Sequence, residues 1–352
     1  MSLPPLEPLL FERLLLTKVW GGDALAPLFG FEVPQEVLAS GPVGETWELV
    51  DREEQNSRVR VGMHAGKTLR ELVTERGEEI LGNARPARSG RFPLLVKYID
   101  AGEPLSVQVH PDAEAAASIG GGAEAKTEAW YVLAAEEGAC VWAGLADGVS
   151  RADFEAALAT EGAAGTVELL RRREVQAGDC VLIEGGCVHA IGAGVTILEI
   201  QQNSDTTYRI HDWGRLGLDG CPRETHPDGA LASARVELAP TWARAPAAGE
   251  PLPECGFDRT LLFEHDLFRG AFLRIGAAEE APLLPASSGM AADGKTPRIL
   301  AVLDGAGTLR APDCLPRRVS PGEVWLLPAC LPTAKLTAEG PGELRTVEAV
   351  AG

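Results

Sequence analysis

The sequence predicts a mainly β protein of two barrel-like units with a small helical insertion. Short β-like runs recur between Gly, Pro and Asp breaks at Phe92–Ile99, Ser106–His110, Ala129–Leu133, Cys180–Ile183 and Val195–Gln201, the spacing of an antiparallel barrel or sandwich. A stretch rich in Ala and Pro, Ala243–Glu254, lacks either apolar period and reads as a connection between units. The second half also echoes the first: Lys126, Thr127 and Glu128 align with Lys295, Thr296 and Pro297, Gly178 and Asp179 with Gly322 and Glu323, and His189 with Thr333.

These observations divide the chain into residues 1–242, an amino-terminal region and first barrel, a linker over 243–254, and a second barrel over 255–352. The helical insert is expected near 151–173, with Ser150 as N-cap and Phe154, Leu158, Val167, Leu169 and Leu170 as its apolar positions. Where the first barrel has Glu and His, the second has Pro and Thr. The second barrel is therefore expected to lack metal ligands.

Thirty-two basic residues against 51 acidic ones give a net charge of −19, which repels nucleic acid and anionic membrane surfaces at long range. Neither is an expected partner. A small anionic substrate is compatible with that charge, because salt screens it beyond roughly 8 Å and a few converging cations then decide. The seven cysteines are odd in number, widely spaced and without a Cys-x-x-Cys pair, which suits reduced thiols. Near the amino terminus, Glu7, Glu12, Arg13 and Lys18 interrupt the leucines, so neither a basic leader nor a bilayer-length apolar run is read there. A cytoplasmic location is expected, and no motif separates a monomer from a homodimer.

The candidate chemistry begins at Gln108 and His110, two apart on a strand and so on one face. Glu128 opens the next strand and His189 follows the turn at Gly185 and Gly186; antiparallel neighbours bring all four into one barrel. Two imidazoles, a carboxylate and an amide oxygen suit zinc, and also Mn, Fe or Co, with one ion per chain. A lone histidine on a strand is more often a hydrogen-bonded structural residue. The spacing of the set changes that balance, since paired ligands, a Glu 18 residues after His110, then Gly178 and a glycine turn before His189 are similar to the two-part signature of the cupin barrel.

Four separated segments, Phe92–Asp100, Leu105–Asp112, Lys126–Tyr131 and Leu198–Arg209, resemble the type I mannose-6-phosphate isomerases of the cupin superfamily in their short bacterial form. The resemblance implies two cupin-like (jelly-roll) barrels, zinc on Gln108, His110, Glu128 and His189, and active-site roles for Lys126, Glu199 and Arg209. It also implies interconversion of mannose 6-phosphate and fructose 6-phosphate through an enediolate, which needs proton transfer between C1 and C2 and cations facing the developing oxyanion. Ser106, Lys97 and Arg209 are candidate donors to the substrate's phosphate, because their segments flank the ligand strand. This chain departs from the family pattern at Glu184, where Pro is usual, and at Cys187, where a small polar residue is usual.

Plainer roles compete at each position. Arg209 has acidic neighbours Asp205 and Asp212 with which to form an ordinary ion pair, Lys126 reads equally as a solvated lysine, and Glu199 as a carboxylate that only orients a ligand. The alternative function is a non-catalytic metal-containing cupin that binds or senses a sugar. Retention of a metal set, a cation and proton-transfer groups together favours the enzyme. Two further patterns carry little: Gly62–Thr68 is one residue short of a phosphate loop and reads as a turn before a helix, and Gly120–Gly122 reads as a mobile loop.

Overall fold

Apolar residues at alternate positions give most strands one face for a core, and antiparallel pairing assembles them into four sheets. The computed structural model describes residues 4–247, 250–283, 295–331 and 333–352. Two units emerge, each discontinuous in sequence: one takes residues 15–47 and 97–242, the other the segment through Leu14, residues 48–96 and everything from Ala243 on.

In the first unit a seven-stranded sheet runs in the order Thr241–Arg244, Asp179–Ile183, Glu128–Ala135, Val195–Gln202, Leu94–Ala101, Leu14–Gly22 and Val43–Leu49. A five-stranded sheet runs Tyr208–His211, Val107–Val109, His189–Ile191, Cys140–Leu145 and Leu170–Glu174. Their facing side chains, among them Trp20, Ile99, Trp130, Val141, Val181 and Ile197, form one core. A second core lies on the other face of the smaller sheet, where Val107, Val109 and Ala190 meet Phe154 and Ala230 of the helices Arg151–Leu158 and Pro227–Ser233. Burial on both faces explains why the short strand bearing the candidate ligands reads Val-Gln-Val: the valines pack under helices and Gln108 points the other way.

The expected helix over 151–173 is shorter in the structure. Ser150 caps it through a capping box, its hydroxyl accepting from the Asp153 amide while the Asp153 carboxylate accepts from the Ser150 amide at 2.9 Å. The helix ends at Leu158. Gly162 and Ala163 take φ of 59° and 53°, so Glu161–Leu169 forms 3-10 turns, and Leu170–Glu174 pairs as a strand with Cys140–Leu145. A sheet edge captures the last four residues of the expected helix, against a helical propensity that only local sequence supported.

The second unit stacks a six-stranded sheet and a four-stranded sheet around Leu273, Ile275, Leu300, Trp325, Leu336 and Leu344. In its Gly62–Thr68 segment Thr68 caps the helix Leu69–Leu81 with a Glu71 capping box, so the pattern is a turn before a helix. The boundary between units falls at Trp242 and Ala243, inside the strand Thr241–Arg244, and residues 248 and 249 of the expected linker lie outside the described residues.

Register corrects the internal echo by one residue. Gly178 donates its amide to the Val132 carbonyl at 2.9 Å, and Gly322 donates to the Val302 carbonyl at 2.8 Å. Counting back from these anchors, Glu128 corresponds to Arg298 and not to Pro297. Cross-strand partners agree, for Trp130 faces Glu199 and Leu300 faces Glu348. Among the described residues no helix is long and apolar enough to cross a membrane.

Phe154 is fully buried between the insert and the ligand-bearing sheet. Phe154→Ala is expected to lower unfolding free energy by about 3–5 kcal/mol, read from urea denaturation.

Candidate metal centre

Strand pairing places the donors. Gln108 lies directly across from His189 on one side and from Arg209 on the other, so one position of a short central strand joins three of the residues singled out in the sequence. On the larger sheet, Glu128 pairs with Gln201 and Ile183, and its carboxylate reaches the imidazoles: Oε2 lies 3.4 Å from His110 Nε2 and Oε1 lies 3.3 Å from His189 Nε2. All three side chains are about 1% exposed. His110, Glu128 and His189 offer ligand atoms within 4.8 Å of one another.

Each imidazole is oriented by a backbone carbonyl. His110 Nδ1 donates to Thr206 O at 2.8 Å and His189 Nδ1 to Cys187 O at 2.9 Å, which fixes the tautomers and turns both Nε2 lone pairs toward Glu128. Burial, then the Lys126 ammonium, lowers His110 to about 3, and burial lowers His189 as well. Both rings are neutral and able to ligate at ordinary pH. Gln108 Nε2 stands 3.2 Å from His189 Nε2, and turning the amide over presents its oxygen to the cluster instead.

The two departures from the family pattern sit comfortably. Cys187 donates its amide to Glu184 O at 3.0 Å, closing the turn with glutamate in place of proline, and the Cys187 side chain packs in the inter-sheet core while its carbonyl orients His189.

Around the donors runs a buried series of charges. Lys126 Nζ lies 2.7 Å from Glu128 Oε2, 3.3 Å from His110 Nε2 and 3.5 Å from Glu199 Oε1. Lys97 Nζ lies 3.4 Å from Glu199 and 3.7 Å from Glu45, which also accepts from Trp47 Nε1 at 2.7 Å. Burial tends to raise the Glu128 carboxyl, but the Lys126 ammonium at its Oε2 holds it well below the usual range. Burial, reinforced by the Glu128 charge, pushes Glu199 up to about 7. For Lys97, burial is outweighed by Glu199 and Glu45, so its ammonium is held more firmly than usual.

Ser106 is buried and donates its hydroxyl to Gln108 Oε1 at 3.2 Å. Arg209 makes no ion pair with Asp205 or Asp212; its Nη1 donates to Glu224 O at 2.7 Å, and its buried Nε has no hydrogen-bond partner. All of Ser106, Gln108, Lys97, Lys126, Glu128, Glu199 and Arg209 line one polar cavity of about 290 Å³. Sequence reasoning missed Glu45, Trp20, Asp205 and Arg223 on the same walls. Glu45 had a signal: it lies in the wholly buried strand Val43–Leu49, where a carboxylate requires a partner.

The donor set also passes a chemical test for fit. The two Glu128 carboxylate oxygens each lie beside one neutral imidazole nitrogen, the borderline N/O combination that a divalent transition ion satisfies. Fold and site together define a class: a β protein whose paired sheets enclose a set of side chains suited to a divalent ion next to buried lysines and carboxylates.

Comparison with known proteins narrows this. Residues 10–143 match the model of the phosphomannose isomerase type I catalytic domain. Mannose-6-phosphate isomerase ManA of Bacillus subtilis is 40% identical over 228 residues, and the match spans 62% of this chain and 65% of that relative's length. A second Bacillus subtilis protein assigned to that activity, YvyI, is 37% identical over 231 residues, 65% of this chain and 69% of its own length. The crystal structure of the Bacillus subtilis mannose 6-phosphate isomerase superposes with a TM-score of 0.79 at 29% identity, covering 97% of this chain and 99% of that one. The chain belongs to the type I phosphomannose isomerase family.

Glu45 offers a test of the charge series. Although burial opposes ionisation, Lys97 and Lys18 lower its carboxyl from 4.5 to about 2. A depressed folded value stabilises the fold above pH 4.5, and that stabilisation is lost as pH falls toward 2. Glu45→Gln is therefore expected to cost on the order of 3 kcal/mol at pH 7, with the difference from wild type shrinking between pH 4.5 and 2 in urea titrations.

Proposed function

We propose that this chain interconverts mannose 6-phosphate and fructose 6-phosphate, using one divalent ion, zinc first among them, held by Gln108, His110, Glu128 and His189. The observation that carries this is the contact of a buried carboxylate with a raised proton affinity, Glu199, with Lys126 beside the metal donors in one cavity. A binding module needs no proton carrier there.

When bound, the ion supplies Lewis-acid polarisation of the sugar carbonyl and its neighbouring oxygen. The remaining work falls to side chains. Glu199 carries the proton between C1 and C2, because a group with affinity near neutrality both takes and returns it. Lys126 keeps Glu128 ionised and offers an N–H to substrate oxygen. Arg209, across the strand from Gln108, faces the enediolate charge with its unused Nε–H. Ser106 and Lys97 bind substrate hydroxyls, Ser106 while steadying Gln108 and Lys97 while steadying Glu199. Trp20 and Trp130 wall the cavity and limit water. Cysteines that are all free fit a cytoplasmic enzyme.

A coupled assay with mannose 6-phosphate before and after chelation tests the reading: activity should vanish with the ion and return with zinc. Arg209→Ala is expected to keep fold and metal while losing roughly 10²–10³-fold in kcat, as for other single transition-state donors. Near-normal turnover would remove Arg209 from the chemistry.

A further inference from the structure

The cavity has a cationic pole at which Arg209 alone has a part in the isomerisation proposed above. Arg209 and Arg223 both line it, on a chain whose net charge is −19. Asp212, 8% exposed, organises this pole. Its Oδ2 accepts from Arg223 Nε at 2.7 Å, and its Oδ1 accepts from Arg223 Nη2 and from Arg215 Nη2, the latter at 2.9 Å. Arg215 is also met by Glu103 at 3.6 Å, so Arg215 and Arg223 are matched by two carboxylates, and the positive excess is that of Arg209, whose side chain bonds only to backbone.

Donors remain unused in this cluster. Arg223 spends Nε and Nη2 on Asp212 and keeps Nη1. Crowded like charges with spare N–H groups in a cavity are stabilised by a dianion, and planar guanidiniums match the oxygen spacing of a phosphate. By contrast, the Lys97 ammonium already sits between two carboxylates, where a phosphate would be repelled. We propose that Arg223 contacts the substrate's phosphate and sets selectivity for phosphorylated over free sugar, with Asp212 as the residue that positions it. This rests on the isomerase reading for the identity of the sugar, not for the anion.

The test uses the full metal-loaded chain, measuring KM and kcat for mannose 6-phosphate and the inhibition constant of inorganic phosphate. Arg223→Gln is expected to raise both KM and that constant by roughly 10- to 100-fold, the loss of one or two charge-assisted hydrogen bonds, with kcat lowered less than about threefold. Arg215 still compensates Asp212 in this variant, and Arg223→Lys should recover part of the loss. Unchanged constants in folded Arg223→Gln overturn the proposal, as does a fall in kcat alone. Should Arg223→Gln not fold, Asp212→Asn, which frees Arg223, must raise KM with kcat kept, and an unchanged KM there also overturns it. If wild type is inert toward mannose 6-phosphate yet binds inorganic phosphate in an Arg223-dependent manner, the isomerase reading fails and the phosphate contact stands.

Discussion

Alternation of buried charge is the constraint on which the site depends. Glu45, Lys97, Glu199, Lys126 and Glu128 follow one another in contact, all enclosed between the sheets. An isolated ion there would be prohibitively desolvated, and each survives only because its neighbours carry the opposite sign. The series holds three carboxylates and two ammoniums, and Lys18, 3.7 Å from Glu45, supplies the third positive charge at its end. Burial, reinforced by the Glu128 charge, nonetheless raises the proton affinity of Glu199.

The sheets make this series reproducible. Lys97, Glu128 and Glu199 project from strands whose next inward residues, Ile99, Trp130 and Ile197, anchor the core, so a slip of one residue would turn all of them outward. Backbone carbonyls at Thr206 and Cys187 then set the imidazoles, although neither residue's side chain takes part. Orientation is thus delegated to main-chain atoms, which substitution at those positions alters little.

Much of this was legible in the sequence, for a physical reason: strand alternation has period two, so Gln108 with His110, and Lys126 with Glu128, declare a common face without any coordinates. The strands Val107–Val109 and Glu128–Ala135 lie close to those expected, with His110 and Lys126 just beyond their ends. What escaped were features decided by distant pairing. Leu169 and Leu170 look helical locally, yet an open sheet edge claims Leu170. The echo was misplaced by one residue because ungapped alignment cannot see which carbonyl a glycine amide will find. Glu45 and Arg223 lie far from the ligand motifs along the chain, and only folding brings them to the cavity.

Arg298 occupies, in the other unit, the register position that Glu128 holds beside the imidazoles. Its guanidinium donates to the Leu331 carbonyl, and across the strands Glu348 is met at 3.1 Å by Arg259. At matching register, then, one unit places a guanidinium among its strands and the other a carboxylate beside two imidazoles, so a single exchange of charge sign separates a position suited to a divalent ion from one that a cation of the chain itself fills.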